Sequence, residues 1–204
     1  MIILGLTGSI GMGKSTAAAM LQTLGVPVHD ADAAVHRLIG PGGRAVAQVD
    51  AAFPGAVRDG AVDRRALGER VFGDPAALKR LEAILHPMVA AEKRRFLGNC
   101  SGSRIRMVAL DVPLLFETGG DRHCDASILV TAPAFLQAER VLRRPGMTRQ
   151  RLDDIRARQM PEAEKRLRAD FVVRTERGYR LTLQRLTAIV RIMSRRPGRH
   201  WPQR

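Results

Sequence analysis

The octapeptide Gly8-Ser9-Ile10-Gly11-Met12-Gly13-Lys14-Ser15 constrains this chain more than any other feature. It fits G-x-x-x-x-G-K-[ST] without a gap, a pattern whose context is a turn between a strand and a helix. Glycines let the backbone curl so that successive N–H groups face inward, and the positive end of the following helix adds to them. Lysine then places a point charge near the β and γ phosphates, and the serine hydroxyl is sized to ligate Mg²⁺. The flanks agree. Ile2-Ile3-Leu4-Gly5-Leu6 reads as a buried parallel strand, and Ser15–Leu24 as a helix with Met20, Leu21 and Leu24 at helical spacing and Gly25 as its stop. The expectation is an ATP site with Gly8, Gly11, Met12, Gly13, Lys14, Ser15 and Thr16 around the phosphates and Ser15 on the metal.

The rest of the chain alternates strands with helices, which implies a parallel sheet with helices on both faces. Val26–His29, Arg106–Leu110, Ser127–Val130 and Phe171–Val173 read as strands. Asp32–Ile39, Ala134–Arg144, Arg149–Met160 and Tyr179–Met193 read as helices. Between them, Arg44–Phe53, Asp63–Phe72, Ala76–Leu85 and Met88–Leu97 carry apolar positions three and four apart, with Asp63 and Asp74-Pro75 as helix starts and Gly98–Gly102 as a loop. The predicted organisation is an α/β nucleotide-binding core (1–40, 103–135, 169–194), a helical insertion (41–102), a further helical segment (136–168) and a disordered basic tail (195–204).

In open parallel sheets, ligands bind beyond the carboxyl ends of the strands. Besides the loop, that rule points to Asp30–Asp32 and to Asp111. Asp32 reads two ways, as the carboxylate that takes a proton from an acceptor hydroxyl or as the N-cap of the helix it precedes. Asp30 reads as structural. Asp111 reads either as a Walker-B-like acid or as a turn residue before Pro113. A GTPase would need an Asn-Lys-x-Asp guanine reader, and the sole asparagine, Asn99, precedes Cys100. That leaves a kinase of small molecules ahead of a GTPase.

The formal charge is +14, and only four of the 34 basic residues are lysine. This charge reads either as a phosphate-rich partner or as arginine scattered over solvated faces; there is no long block of like charges. Aromatic residues make up 4%, too few for a stacking platform on single-stranded nucleic acid. No stretch reaches the ~18 apolar residues of a membrane helix. Two cysteines suit a reducing compartment, so a cytoplasmic protein with no membrane and no stable nucleic-acid partner is expected. The histidines show no metal-ligand spacing.

Several stretches in this order resemble the dephospho-CoA kinase family along nearly the whole chain. They are Leu6–Thr16, Asp30-Ala31-Asp32, Val62-Asp63-Arg64, Val71-Phe72, Asp74-Pro75, Leu85-His86-Pro87, Asp111-Val112-Pro113-Leu114-Leu115-Phe116-Glu117, Arg140, Arg144, Gln159 and Ala169-Asp170. The resemblance implies a P-loop core, a CoA-binding helical region at 41–102 and a lid at 136–168. It implies transfer of the ATP γ-phosphoryl to the ribose 3′-hydroxyl of dephospho-CoA with Mg²⁺. Asp32 matches the family's catalytic base. Thr7, Arg64, His86, Pro87, Asp111, Pro113, Leu115 and Phe116 would face the acceptor, and Arg140 and Arg144 match the lid arginines. The sequence departs from the family at His29, at Pro145-Gly146 and at Arg174, where the last two replace acidic residues. Rival readings are a shikimate-kinase-like enzyme and an ATP-dependent nucleic-acid-binding protein.

Overall fold

The computed structural model describes residues 1–202; Gln203 and Arg204, the end of the tail expected to be disordered, lie outside the described residues. In chain order the elements begin with β1 (Ile2–Thr7), α1 (Lys14–Thr23), β2 (Val28–Asp30), α2 (Ala31–Ile39) and α3 (Val46–Ala52). A hairpin of β3 (Val57–Arg58) and β4 (Ala61–Val62) precedes α4 (Arg64–Val71) and α5 (Pro75–Gly102). Then come β5 (Met107–Asp111), β6 (Ala126–Thr131), α6 (Ala134–Leu142), α7 (Arg149–Ala157), α8 (Glu162–Arg168), β7 (Phe171–Arg174) and α9 (Tyr179–Met193). The chain divides into two compact units, Met1–His29 with Cys100 onward, and Asp30–Asn99.

The main sheet has the order β2-β5-β1-β6-β7. β1 pairs parallel with both neighbours, with Leu4 opposite Ala109 on one side and Ala126 on the other, and β6 pairs parallel with β7. All six residues of β1 are buried, because helices cover both faces and leave no side for alternating polar residues. Ile2, Leu4 and Leu6 share a core with Met20 and Leu21 of α1 and with Leu186, Ile189 and Met193 of α9. From β1 the chain winds towards β2, whereas β5 is followed by β6 on the other side. The winding reverses around β1, so the crevice for a ligand opens beyond its carboxyl end, where the glycine loop begins.

The second unit builds its own core from Leu38, Val49, Phe53, Val62 and Leu67. Asp63 caps α4 by accepting the N–H groups of Arg65 and Ala66. Asp74 Oδ1 accepts those of Ala76 and Ala77 at the start of α5. Three local readings are corrected by the structure. Ala76–Leu85, Met88–Leu97 and the expected loop at Gly98–Gly102 form one helix with Pro87 inside it. A proline in a helix interior removes one hydrogen bond and costs about 3 kcal/mol. The helix carries it because Ile84 and Leu85 before the proline and Met88 and Val89 after it pack on the same core. The β3–β4 hairpin is an addition to the expected elements, although its Asp59-Gly60 turn, with φ of 50° and 73°, is a two-residue hairpin signal. Finally, α8 is a further helix between α7 and β7; its acidic first turn and basic last turn suit the helix dipole.

The tail also differs from expectation. Arg199 donates its backbone N–H to Asp125 Oδ1 at 2.6 Å, and Gly198 lies so close to the Met1 carbonyl that a Cβ would come within 2.1 Å of it. The same Asp125 accepts the N–H of Ile3 at 2.7 Å through its other oxygen, so one carboxylate ties the tail to the start of β1.

Candidate active site

β1 ends at Thr7 and the backbone turns at once. Gly11 and Gly13 take φ of 75° and 92°, which only glycine adopts without strain. Gly8 passes the Val130 carbonyl so closely that a Cβ would sit 2.6 Å from its oxygen. Met12 N–H donates to Ser9 O at 3.2 Å, closing the turn, and Met12 itself is buried under the loop. Gly13 is the N-cap of α1 and has no side chain to satisfy the first-turn N–H groups. Those donors are left for an anion, with the helix dipole behind them.

Lys14 opens α1, and its Nζ lies 2.6 Å from Asp111 Oδ1. Asp111 ends β5 opposite Leu6 and is 2% exposed. Asp111 thus ends its strand before the turn at Pro113 and sets its carboxylate beside the lysine of the loop. Ser15 follows, so the start of α1 and the end of β5 offer hydroxyl and carboxylate oxygens. That donor set fits Mg²⁺, which takes one or two protein ligands and the rest from phosphate and water. Among the described residues, no group of three or more His, Cys, Asp and Glu could hold a metal by itself.

Side chains from α6 and α7 bind the outer curve of the loop. Arg140 Nη1 lies 3.0 Å from Thr175 Oγ1 and 3.4 Å from Gly11 O. The Thr175 hydroxyl donates to Met12 O at 2.8 Å. Gln137 Nε2 donates to Ile10 O at 2.8 Å, Arg156 Nη2 holds Gln137 Oε1 at 2.7 Å, and Gln159 Oε1 accepts Ile10 N–H at 3.3 Å. Arg144 is placed differently from Arg140. The helix expected to run to Arg144 stops at Leu142, and Arg144 lies exposed in the turn beyond it. Deeper, Lys165 Nζ pairs with Glu117 Oε1 at 2.9 Å. Burial pushes the Glu117 carboxyl up, but the Lys165 ammonium and the Met160 N–H outweigh it and hold Glu117 below the ordinary range.

Comparison with known proteins agrees with this arrangement. The dephospho-CoA kinase family matches residues 2–180 of the chain. A dephospho-CoA kinase of Paramagnetospirillum magneticum is 67% identical over 193 residues, covering 95% of this chain and 91% of its own. The chain belongs to the dephospho-CoA kinase family. A second dephospho-CoA kinase, from Rhodospirillum rubrum, is 59% identical over 98% of this chain and 95% of its own. A crystal structure of a Thermus thermophilus protein superposes with a TM-score of 0.82 at 40% identity, covering 94% of this chain and 97% of that one.

Other residues expected to serve a dephospho-CoA kinase fall in mixed places. Thr7 is fully buried and donates its hydroxyl to Pro113 O at 3.0 Å, which fixes the Asp111–Pro113 turn against β1. Pro113 is half-buried, while Leu115 and Phe116 are 1% and 2% exposed. Leu115 packs against Gly5 and Gly120, and Arg168 covers the Phe116 ring at 5.1 Å. These two side chains serve packing, so they shape the Asp111–Glu117 segment from beneath. Arg174, one of the departures from the family, is held by Glu176 at 2.5 Å.

In the second unit, α2 begins at Ala31, one residue earlier than expected. Asp30 is its N-cap and accepts the Ala33 N–H at 2.9 Å. Asp32 therefore lies in the first turn, exposed, and the capping reading of Asp32 falls. Arg64 opens α4 and is exposed. His86 and Pro87 lie inside α5, both exposed. Sequence reasoning missed Gln137, Arg156, Lys165 and Thr175. A single Thr, Gln or Lys in a polar helix or after a strand carries no spacing signal; only Gln159 stood in a stretch already noted.

Proposed function

We propose that this chain transfers the γ-phosphoryl group of ATP to the ribose 3′-hydroxyl of dephospho-CoA, giving CoA and ADP. The observation that carries the reading is the Lys14–Asp111 pair at the mouth of a glycine loop whose first-turn N–H donors are uncapped. Phosphoryl transfer needs in-line positioning and charge neutralisation more than covalent chemistry. The loop N–H groups of Gly11 and of Gly13 to Thr16 bind the phosphates, and Lys14 leaves Asp111 for the γ-phosphate as it arrives. Ser15 and Asp111 would hold Mg²⁺, which would supply further charge neutralisation of the phosphates.

Segment 136–168 acts as a lid, with Arg140 at the loop and Arg144 reaching the phosphates from the turn on closure. The 41–102 region holds the pantetheine arm, with Arg64, His86 and Pro87 towards the acceptor. Thr7 and Pro113 support the acceptor-facing side of the core. Asp32, relieved of capping by Asp30, accepts the hydrogen bond of the 3′-hydroxyl and takes its proton as the O–P bond forms. Two buried free thiols, Cys100 and Cys124, support a reducing, cytoplasmic setting. Among the described residues, no helix is long and apolar enough to cross a membrane.

The test is ATP consumption with Mg²⁺ against dephospho-CoA, AMP, adenosine and shikimate, with the phosphorylated position mapped by NMR. The reading expects dephospho-CoA to be preferred in kcat/KM and the phosphate to arrive on the 3′-oxygen. Lys14→Ala and Asp32→Asn should each lose at least ~100-fold in kcat, the latter with little change in KM. Equal kcat/KM for AMP would overturn the acceptor.

A further inference from the structure

Lys165 is 0% exposed and the bulkiest of the fully buried side chains among the described residues. Its ammonium has two partners. One is Glu117 Oε1 at 2.9 Å, and the other is the hydroxyl of Ser9, inside the phosphate loop, at 3.4 Å. The same Glu117 oxygen accepts the N–H of Met160, two residues before α8, at 2.9 Å. Three distant stretches therefore meet on one ion pair: the loop after β1, the segment after β5, and the base of the lid.

Stability alone is a poor reason for such a pair. Removing two charges from water is expensive, and an apolar pair of similar volume is often as stable or more so. Nor is the pair arranged for greatest stability: Glu117 Oε2 is buried with no hydrogen-bond partner among the described residues. What the pair does fix is Ser9. That residue is 8% exposed, and its carbonyl accepts the Met12 N–H that closes the loop. A shift at Ser9 thus moves the N–H groups meant for phosphate.

We propose that Lys165 is a positioning residue of the phosphate site: anchored by Glu117, it holds the Ser9 arm of the loop and joins the base of the lid to it. The proposal deepens the kinase reading and shares its ATP site, but its test does not depend on the acceptor.

The test measures equilibrium binding of a fluorescent ATP analogue with Mg²⁺, alongside thermal melting. The variants are Ser9→Ala, the double variant Glu117→Gln/Lys165→Met, and all three changes together. The Glu117→Gln change keeps an oxygen for the Met160 N–H, and removing both charges avoids a lone buried ion. A hydrogen bond to a charged group is lost in each case, so affinity should fall about tenfold in Ser9→Ala and in the double variant. The melting temperature of Ser9→Ala should fall by no more than the several degrees that one such hydrogen bond accounts for, with the fold retained. Because both act through one arm, the triple variant should lose no more than the double. Wild-type affinity in folded Ser9→Ala, or losses that simply add in the triple variant, would overturn the proposal. Should the double variant fail to fold, Ser9→Ala decides alone. If the wild-type protein binds the analogue but leaves dephospho-CoA untouched, the acceptor assignment fails while this inference is still judged on binding.

Discussion

Gly11→Ala is the sharpest test of how the loop is built. Gly11 sits at φ 75°, and an added Cβ would lie 2.5 Å from Val141 Cγ2 and 3.1 Å from the Gln137 carbonyl. Two costs follow. An alanine in the left-handed region costs about 1–2 kcal/mol. Val141 is fully buried against Ala138 and Leu152, so it yields only by overpacking that cluster, at about 1–3 kcal/mol. Together these predict roughly 2–5 kcal/mol of destabilisation, or a fall of roughly 4–20 °C in Tm for a chain of this size. Calorimetry measures the first quantity. A double-mutant cycle separates the two costs: in a Val141→Ala background the Val141 clash is gone, and the backbone strain and the tight approach to the Gln137 carbonyl remain. The cycle should therefore show a favourable coupling of about 1–3 kcal/mol. Phosphate binding should not recover in the double variant, because the loop N–H groups still turn on a strained residue. An unchanged Tm in Gly11→Ala, or a coupling of zero, would refute the close approach of α6 to the loop.

Other expectations follow from single contacts. Arg140→Ala should lower kcat and raise the KM for ATP, whereas Arg144→Ala, whose side chain is exposed, should act on kcat alone; steady-state kinetics at varied ATP separates the two. Deleting Pro197–Arg204 removes the Arg199 N–H from Asp125, a hydrogen bond to a charged group worth about 1.5–3 kcal/mol. Tm should therefore drop by several degrees with kcat unchanged, and an unaltered melting curve would show that this contact contributes nothing. Glu117 has its carboxyl held below the ordinary 4.5. The sign is that of a lowered acid: its contribution is present above the unfolded value and is lost as pH falls through the folded one. The stability gap between wild type and Glu117→Gln should then be constant above about pH 5 and close below it in urea titrations at stepped pH.

The fold was readable where local chemistry and global position demand the same residue type. The loop is the extreme case: Gly8, Gly11, Gly13 and Lys14 can be nothing else if the backbone is to curl around phosphate. Buried parallel strands were readable for a related reason, since β1 and β6 are covered on both faces and are mostly apolar. Errors gathered where tertiary packing overrules a local signal. Pro87 reads as a stop, yet the core beneath α5 holds both halves of the helix in line. Asp30 and Asp32 are equivalent as isolated residues; which of them caps α2 depends on a one-residue choice of helix start.

Side-chain roles at the site were less readable than backbone, and the reason is exposure. Lys165 lies in Glu164-Lys165-Arg166, a run that by composition belongs on a solvated face. It is buried because the segment ending at Glu117 and the loop at Ser9, 156 residues away in sequence, converge on it. Arg144 shows the reverse. Its four-residue spacing from Arg140 suggests a shared helix face, but the Pro145-Gly146 turn ends the helix first. Arg140 consequently rests on the loop and Arg144 stands off it. A charged residue in this family member thus acquires its role from what the sheet brings against it. Of the two residues that hold the loop from behind, Glu117 already stood in the Asp111–Glu117 stretch, whereas Lys165 becomes visible only once β5 and α8 are in place.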